Sequence, residues 1–408
     1  MSHTTTSAPG WHELAEPAGL NLLARIATAH SAGSSLDAIG QRLRKDNIEP
    51  SMIAAALTQT DLRAKAAGKF GPVASELLFT RAGLEQASRA IVSDLHAARF
   101  AAAGCTTVAD LGCGLGAESV SFLRAGLDVR AVEIDPLTAA YARHNLAVVA
   151  AEPGCGSATV TEADAESSDL AGIDAVFLDP ARRTAGHRDT RRVSPDDYSP
   201  SLDFAFEAAR SAIAGGVKLG PGLPRELLPD DAEAQWVSVE GALVETGVWF
   251  GAAARPGIRR AATIIQRNEV HELTGAEDAA DAEVRELGQF VYEPDGAVIR
   301  ARLIGTLTTQ LHAGMVREGI AYLTGDALVP TPFATAFRVL EELPAGEKQL
   351  RKELAARDIG TLEIKKRGVD VDPASMRKRL KLRGSQSATI ILTRVADRHV
   401  ALLAERVR

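Results

Sequence analysis

The segment Val108-Ala-Asp-Leu-Gly-Cys-Gly-Leu-Gly116 limits most strongly what this chain can fold into. It sets three glycines directly after an apolar run and before a helical pattern. Glycine at such a junction allows a tight turn and lets backbone N–H groups approach a ligand closely. The flanking sequence alternates strand and helix: strand 107–111, helix from Glu118, strand 128–134, helix from Leu137, strand 158–163, strand 175–178, a helix near 202–214 and strand 216–219. That rhythm predicts an α/β fold, a parallel sheet with crossover helices. Glu245 to Phe250 and Arg260 to Gln266 are close enough to form an antiparallel hairpin, expected at the far edge of the sheet.

Spacing within the loop separates two cofactor classes. Dinucleotide-binding loops read G-x-G-x-x-G and seat a pyrophosphate on the helix N-terminus. Here the pattern is G-x-G-x-G, with Ala117 where the third dinucleotide glycine would fall. Asp110 just before the glycines is poorly placed for pyrophosphate and well placed for a cationic amino group. Glu133 ends the next strand 21 residues after Gly112, where an acid can bind ribose hydroxyls. The charge pattern therefore favours a zwitterionic ligand with an amino-acid moiety.

Four segments in order, Asp110-Leu-Gly-Cys-Gly-Leu-Gly116, Val132-Glu-Ile-Asp-Pro136, Glu162-Ala-Asp164 and Phe177-Leu-Asp-Pro180, resemble motifs I to IV of the class I S-adenosylmethionine-dependent methyltransferases. The resemblance implies a Rossmann-like sheet and S-adenosyl-L-methionine as cofactor. It implies that Gly112, Gly114 and Gly116 line the methionine part, with Asp110 toward the amino group. Glu133 would bind the ribose diol and Asp164 the adenine amine. Asp164 also fits a solvent-facing loop acid beside Glu162 and Glu166.

Asp179-Pro-Ala-Arg182 follows the apolar run 175–178, so it belongs at the carboxyl end of a strand, where open α/β sheets bind ligands. It is similar to the Asp-Pro-Pro-Tyr and Asp-Pro-Pro-Arg signatures of enzymes that methylate bases in nucleic acids, which makes Asp179, Pro180 and Arg182 the candidate catalytic residues. Ala181 and Arg182 depart from the first of these, and a guanidinium plane can stack on a base or pair with phosphate. Arg182, Arg183, Arg188, Arg191 and Arg192 with His187 form a basic run suited to phosphate, or to pairing with Asp189, Asp196 and Asp197. Methylation of a pyrimidine carbon needs a cysteine nucleophile after a core strand. Cys105, Cys113 and Cys155 offer none, so direct transfer to nitrogen or oxygen is expected. Their spacing also predicts no metal site and no disulfide framework.

Before the core, 1–78 read as a helical region with helices at 36–43 and 51–67, the second capped by Ser51. Thr80 then caps a helix running to about Phe100. A Thr-initiated helix before motif I is similar to one in the cap trimethylguanosine synthase family, and Thr80 serves equally as a plain cap. The core spans 79–270. An acidic, alanine-rich stretch opens a connector, 271–333, and a small α/β domain occupies 334–408. This last segment resembles the THUMP-like domain that follows a methyltransferase core in a bacterial family, with Tyr292-Glu-Pro-Asp295 also typical of it. True THUMP domains bind RNA, so the resemblance implies an RNA-docking surface.

A net charge of −7 argues against a chain that coats nucleic acid indiscriminately. The tail nevertheless carries eight basic and two acidic residues between Lys365 and Arg383. Lys365, Lys366, Arg377, Lys378 and Arg379, with Arg183 and Arg188, are the candidate RNA contacts, although such charges also solvate a helix face. No apolar stretch reaches membrane-spanning length and the N-terminus lacks a signal pattern, so a cytoplasmic, non-membrane protein is expected. The resulting reading is a methyltransferase acting on a base nitrogen of structured RNA, tRNA or rRNA. A small-molecule or protein methyltransferase is an alternative, as is a non-catalytic RNA-binding or assembly protein.

Overall fold

The computed structural model describes residues 10–182 and 197–407. They form two compact units, one of residues up to Leu219 with Leu223–Ala232 and Val248–Ala254, the other of Gly220–Gly222, Glu233–Gly247 and Arg255 onward.

The first unit opens with helices α1 (Pro17–Ser31), α2 (Leu36–Lys45) and α3 (Pro50–Phe70). Pro50 stands at the first position of α3, where its missing N–H costs nothing, so the helix starts before Ser51 and Glu49 makes no side-chain cap. Thr80 does cap α4 (Arg81–Gln86), accepting from Gly83 N at 3.0 Å. The helix expected to reach Phe100 instead breaks, with Ala87 extended, and resumes as α5 (Ala90–Ala102). Lys69 Nζ explains the break. It accepts the role of the missing amides, donating to the carbonyls of Leu84, Glu85 and Ala87 at 2.7, 3.0 and 2.7 Å.

There follow β1 (Thr107–Leu111), α6 (Ala117–Arg124), β2 (Asp128–Glu133), α7 (Pro136–Ala150), β3 (Ala158–Glu162), β4 (Ala175–Leu178), the short pair β5 (Ala181–Arg182) and β6 (Tyr198–Ser199), α8 (Leu202–Ser211) and β7 (Ala214–Leu219). The long strands stand in the order β3-β2-β1-β4-β7, each parallel to its neighbour. Burial against both faces accounts for the apolar runs of the central β1, β4 and β7, whereas β3 at the end of this order is largely exposed. Phe100, Phe122, Phe177 and Trp249 meet edge to face or tilted on one side, with centroids between 5.5 and 6.4 Å. Leucines of α1 to α3 join that same core, so the helical lead-in is packed onto this unit.

The second unit contains β8 (Glu233–Val239), the first half of β9 (Ala242–Gly251), β10 (Arg260–Gln266) and β11 (Glu269–Gly275). The expected hairpin of 245–250 with 260–266 does not form. β10 lies parallel to β8 on one side and antiparallel to β11 on the other. Its true hairpin turns through Arg267 and Asn268, both at positive φ, the two-residue turn that matches strand twist. Without glycine in the turn, the sequence gives it little signal.

Beyond lie β12 (Phe290–Pro294), α9 (Gly296–Arg300), α10 (Ile304–Leu311), β13 (Gly314–Arg317), β14 (Ile320–Gly325), β15 (Ala334–Pro344), α11 (Glu347–Ala356), β16 (Ile359–Lys366), α12 (Pro373–Leu380), β17 (Gln386–Val395) and β18 (Arg398–Arg406). Seven strands form one sheet, β13-β14-β12-β15-β18-β17-β16. Tyr292 pairs with Ala336 within it, so the segment read as a connector contributes three of the strands. Leu350 and Leu354 of α11 and Met376 and Leu380 of α12 pack on one apolar cluster of this sheet. No helix among the described residues is long and apolar enough to cross a membrane.

Candidate active site

The loop after β1 folds around the end of β2. Gly112 N and Cys113 N both donate to Val132 O, at 2.8 and 3.0 Å, and Gly114 N donates to Glu133 Oε2 at 3.0 Å. Gly112, Gly114 and Gly116 have φ of 84°, 57° and 87°, the left-handed region that side chains resist. The three differ in what surrounds them. A Cβ on Gly112 or Gly114 would meet nothing within 4 Å, whereas one on Gly116 would lie 2.9 Å from Leu146 Cδ2 on α7. Two glycines therefore leave an open cradle, and the third lets the loop close onto a helix.

Asn145 of α7 fixes the segment that approaches this loop. Its amide accepts from Leu78 N at 2.7 Å and donates to the carbonyls of Leu78 and Leu115 at 3.0 and 3.1 Å. Gln59 of α3 does the same for Phe79, donating to its carbonyl and accepting from its amide. A buried extended segment needs such partners, because no strand pairs with it. Thr80 and α4 are thereby held beside Leu115.

The acids predicted from the motifs stand in three environments. Asp110 is 1% exposed, accepts a 2.5 Å hydrogen bond from Ser119 Oγ, and has its pKa pushed up to about 7 by burial, with the Glu118 and Asp179 charges adding to the rise. Glu133 is half-buried and tied to the backbone, Oε2 to Gly114 N and Oε1 to Asp135 N at 2.9 Å; burial raises its pKa too. Ile134 beside it is 65% exposed, an apolar surface the sequence reading passed over. Asp164 is exposed and caps a short turn, accepting from Glu166 N at 3.0 Å.

Because β1 and β4 run parallel with Asp110 beside Phe177 and Leu111 beside Leu178, Asp179 emerges next to the glycine loop. Its carboxylate Oδ2 pairs with the Nζ of Lys218, one residue past Val217, the register partner of Leu178. Lys218 Nζ also donates to Ser88 Oγ at 2.9 Å and lies 3.8 Å from Glu118 Oε1. Glu118 is buried. Burial alone would raise its carboxyl, but the His96 ring at 2.9 Å, Lys218 and Ser88 outweigh it and bring the pKa down to about 2. Lys218, Glu118, His96 and Ser88 were all missed. A lysine inside the apolar strand Gly216-Val-Lys-Leu219 was their one available signal.

Pro180 is buried, and Ala181 and Arg182 pair through their backbones with Ser199 and Tyr198. Arg183, Arg188 and the rest of that basic run lie outside the described residues. The other predicted cations belong to the second unit and divide into two groups. Lys365 is paired with Glu293 at 3.0 Å, and Arg379 with Glu347 at 2.9 Å. Lys366, Arg377 and Lys378 are exposed, and so are Lys348, Arg351 and Lys352 of α11, which the sequence reading did not single out.

The open glycine cradle, the acid beneath it and the half-buried acid at the end of β2 fit a ligand with a cationic amino group and a ribose. Comparison with known proteins agrees. A family described as THUMP domain-like matches residues 334–406, and a domain of unknown function (DUF8688) matches 9–66. An uncharacterized S-adenosylmethionine-dependent methyltransferase of Mycobacterium tuberculosis, in strains CDC 1551 / Oshkosh and ATCC 25618 / H37Rv, is 37% identical over 346 residues, which is 82% of this chain and 91% of the relative. The crystal structure of a candidate methyltransferase of Porphyromonas gingivalis W83 superposes with a TM-score of 0.74 at 22% identity, over 95% of this chain and 98% of that one, so the fold is shared. By its kinship with the mycobacterial proteins, the chain belongs to the S-adenosylmethionine-dependent methyltransferases, a class I enzyme with a THUMP-like domain that takes S-adenosylmethionine as its methyl donor.

Proposed function

We propose that this enzyme methylates a nitrogen of a base in tRNA or rRNA by direct in-line transfer at Asp179. The observation that carries the reading is the place of Asp179: at the carboxyl end of β4, beside the glycine cradle at the end of β1, and 39% exposed in its side chain. When bound, S-adenosylmethionine supplies a methyl group on a positive sulfur.

The chain's own residues then position it. Gly112 and Gly114 offer their open faces to the methionine part, while Gly116 serves by letting the loop pack on Leu146. Asp110, ionised on meeting a cation, holds the amino group. Glu133 receives the ribose hydroxyls, Ile134 offers its side chain to the adenine face, and Asp164 meets the adenine amine. Asp179 accepts a hydrogen bond from the acceptor N–H and aims the nitrogen lone pair at the methyl carbon. The acceptor nitrogen would take the methyl group in a single displacement as the sulfur departs, and its proton would pass to solvent. Pro180 stiffens the turn, and Arg182 is assigned to the base or its phosphate.

Support for RNA comes from charge. α11 and α12 pack on the same apolar cluster and carry exposed Lys348, Arg351, Lys352, Arg377 and Lys378, within a region matching the THUMP-like family. Cations so grouped suit a phosphate backbone. The test is transfer of labelled methyl to bulk tRNA and rRNA from a strain lacking the gene and from its parent. Label entering only the first RNA supports the reading; equal absence from both, with label entering protein or small molecules, contradicts it.

A further inference from the structure

Asp179 reaches the reaction site from the end of a strand, and a carboxylate there could rotate freely about its side-chain torsions. It is restrained by a chain of charged groups that runs inward from it. Oδ2 of Asp179 pairs with Lys218 Nζ. That ammonium donates to Ser88 Oγ at 2.9 Å and lies 3.8 Å from Glu118 Oε1, an ion-pair distance without a hydrogen bond. Glu118 Oε2 is set 2.9 Å from His96 Nδ1, and both of these side chains are buried. His96 rests on Phe177 and Trp249 of the aromatic core, with ring centroids 5.3 Å away in each case.

We propose that Lys218 is a positioning residue for methyl transfer: anchored by Glu118 and Ser88, it fixes the orientation of the Asp179 carboxylate and keeps it anionic toward the acceptor. The inference rests on the reading of Asp179 as the acid that receives the acceptor. Three features separate Lys218 from a lysine that merely solvates a strand end. Its side chain is only 12% exposed, which a lone ammonium resists. Its ammonium faces two carboxylates, on different elements, and donates to a hydroxyl. And the inner carboxylate is braced by an aromatic core, so the chain of contacts ends on a rigid element. A second lysine close by, Lys69, has a different task, since its three donors go to the carbonyls of Leu84, Glu85 and Ala87.

The chemistry that follows is specific. A carboxylate held by a cation is a weak base and a good hydrogen-bond acceptor. It therefore orients an N–H whose proton departs after transfer, instead of removing that proton beforehand. Among the described residues, the charged and titratable groups around the pair include Asp110 on β1, Glu118 on α6 with His96 of α5 behind it, and Lys69 on α3, which has Arg89 and Glu85 beside it. Lys218 pairs directly with Asp179.

The test measures transfer of methyl-tritiated S-adenosylmethionine into an extract of a strain lacking the gene, separated into nucleic acid, protein and small molecules, so that any acceptor registers. Wild type, D179N, K218M, K218R, S88A and the K218M/D179N pair are compared, with S-adenosylhomocysteine affinity measured for each. K218M is expected to lower kcat on the order of 100-fold with affinity within about threefold, as loss of positioning does. Its acid limb of activity should move to higher pH, and K218R should restore that limb. The double variant should be no slower than D179N, because both changes remove one unit. S88A, which leaves every charge in place, should lose roughly threefold to tenfold in kcat. Wild-type rates in K218M and S88A, or losses that multiply with D179N, overturn the inference. Wild-type activity in D179N overturns the reading of Asp179 instead. The fraction that takes up label decides the RNA question separately.

Discussion

Ser119 Oγ donates a 2.5 Å hydrogen bond to Asp110 Oδ2, and the two lie beneath the glycine loop with Asp110 1% exposed. Burial leaves this carboxyl near pH 7 in its titration, so it binds a proton in the folded chain that it lacks when unfolded. A cationic ligand needs the ionised form. S-adenosylhomocysteine should therefore bind about tenfold more tightly at pH 8 than at pH 6, with proton uptake by buffer visible in calorimetry near pH 7. D110N should bind weakly and without that dependence. The sign for stability is opposite. A raised acid stabilises least above its folded pKa, so Asp110's contribution falls as pH rises from about 4 to about 7, and D110N should melt higher than wild type at pH 8.

The three glycines should separate in two measurements. G114A places a methyl in open space at φ 57°, so it should cost only about 1 kcal/mol in urea unfolding yet weaken S-adenosylhomocysteine at least tenfold. G116A adds a clash with Leu146 to a φ of 87° and should cost about 2 kcal/mol or more, with the binding loss secondary to it. Equal stability costs would contradict the division into cradle and packing roles.

N145A removes the partner of the Leu78 amide and of two carbonyls, Leu78 and Leu115, all buried. A loss of roughly 2–3 kcal/mol is expected in urea unfolding. Because Leu115 sits inside the glycine loop, ligand affinity should fall as well. A stability loss with unchanged affinity would show that the approach segment does not support the loop.

Neutralising the tail cations should reveal two classes. K366Q, R377Q and K378Q together should weaken RNA binding and reduce the slope of log K against log salt by about two to three. K365Q and R379Q should change that slope far less, since Glu293 and Glu347 already occupy those cations. Filter binding of bulk tRNA between low and moderate salt makes the comparison.

Much of the candidate site's geometry was legible because its logic is local. Asp110, the glycines and Glu133 lie within two strands and a turn, and strands 107–111 and 175–178 come straight from their apolar runs. What escaped was set by distant partners. The helix break after Gln86 depends on Lys69, 15 to 18 residues away, and nothing around Ala87 announces it. Lys218 and Ser88 stand 130 residues apart in the chain, and a lysine in a strand gives no hint of which carboxylates it will meet. The basic tail misled differently: a run of like charges in sequence divides in space into paired and exposed cations, and the exposed set extends to α11.

The proposed role of Asp179 is to direct methyl transfer to a base in RNA. Mass spectrometry of nucleosides from tRNA and rRNA of a strain lacking the gene tests it most directly. One methylated base nucleoside should disappear, return with the wild-type gene, and stay absent with the D179N gene. An unchanged nucleoside profile would contradict the account.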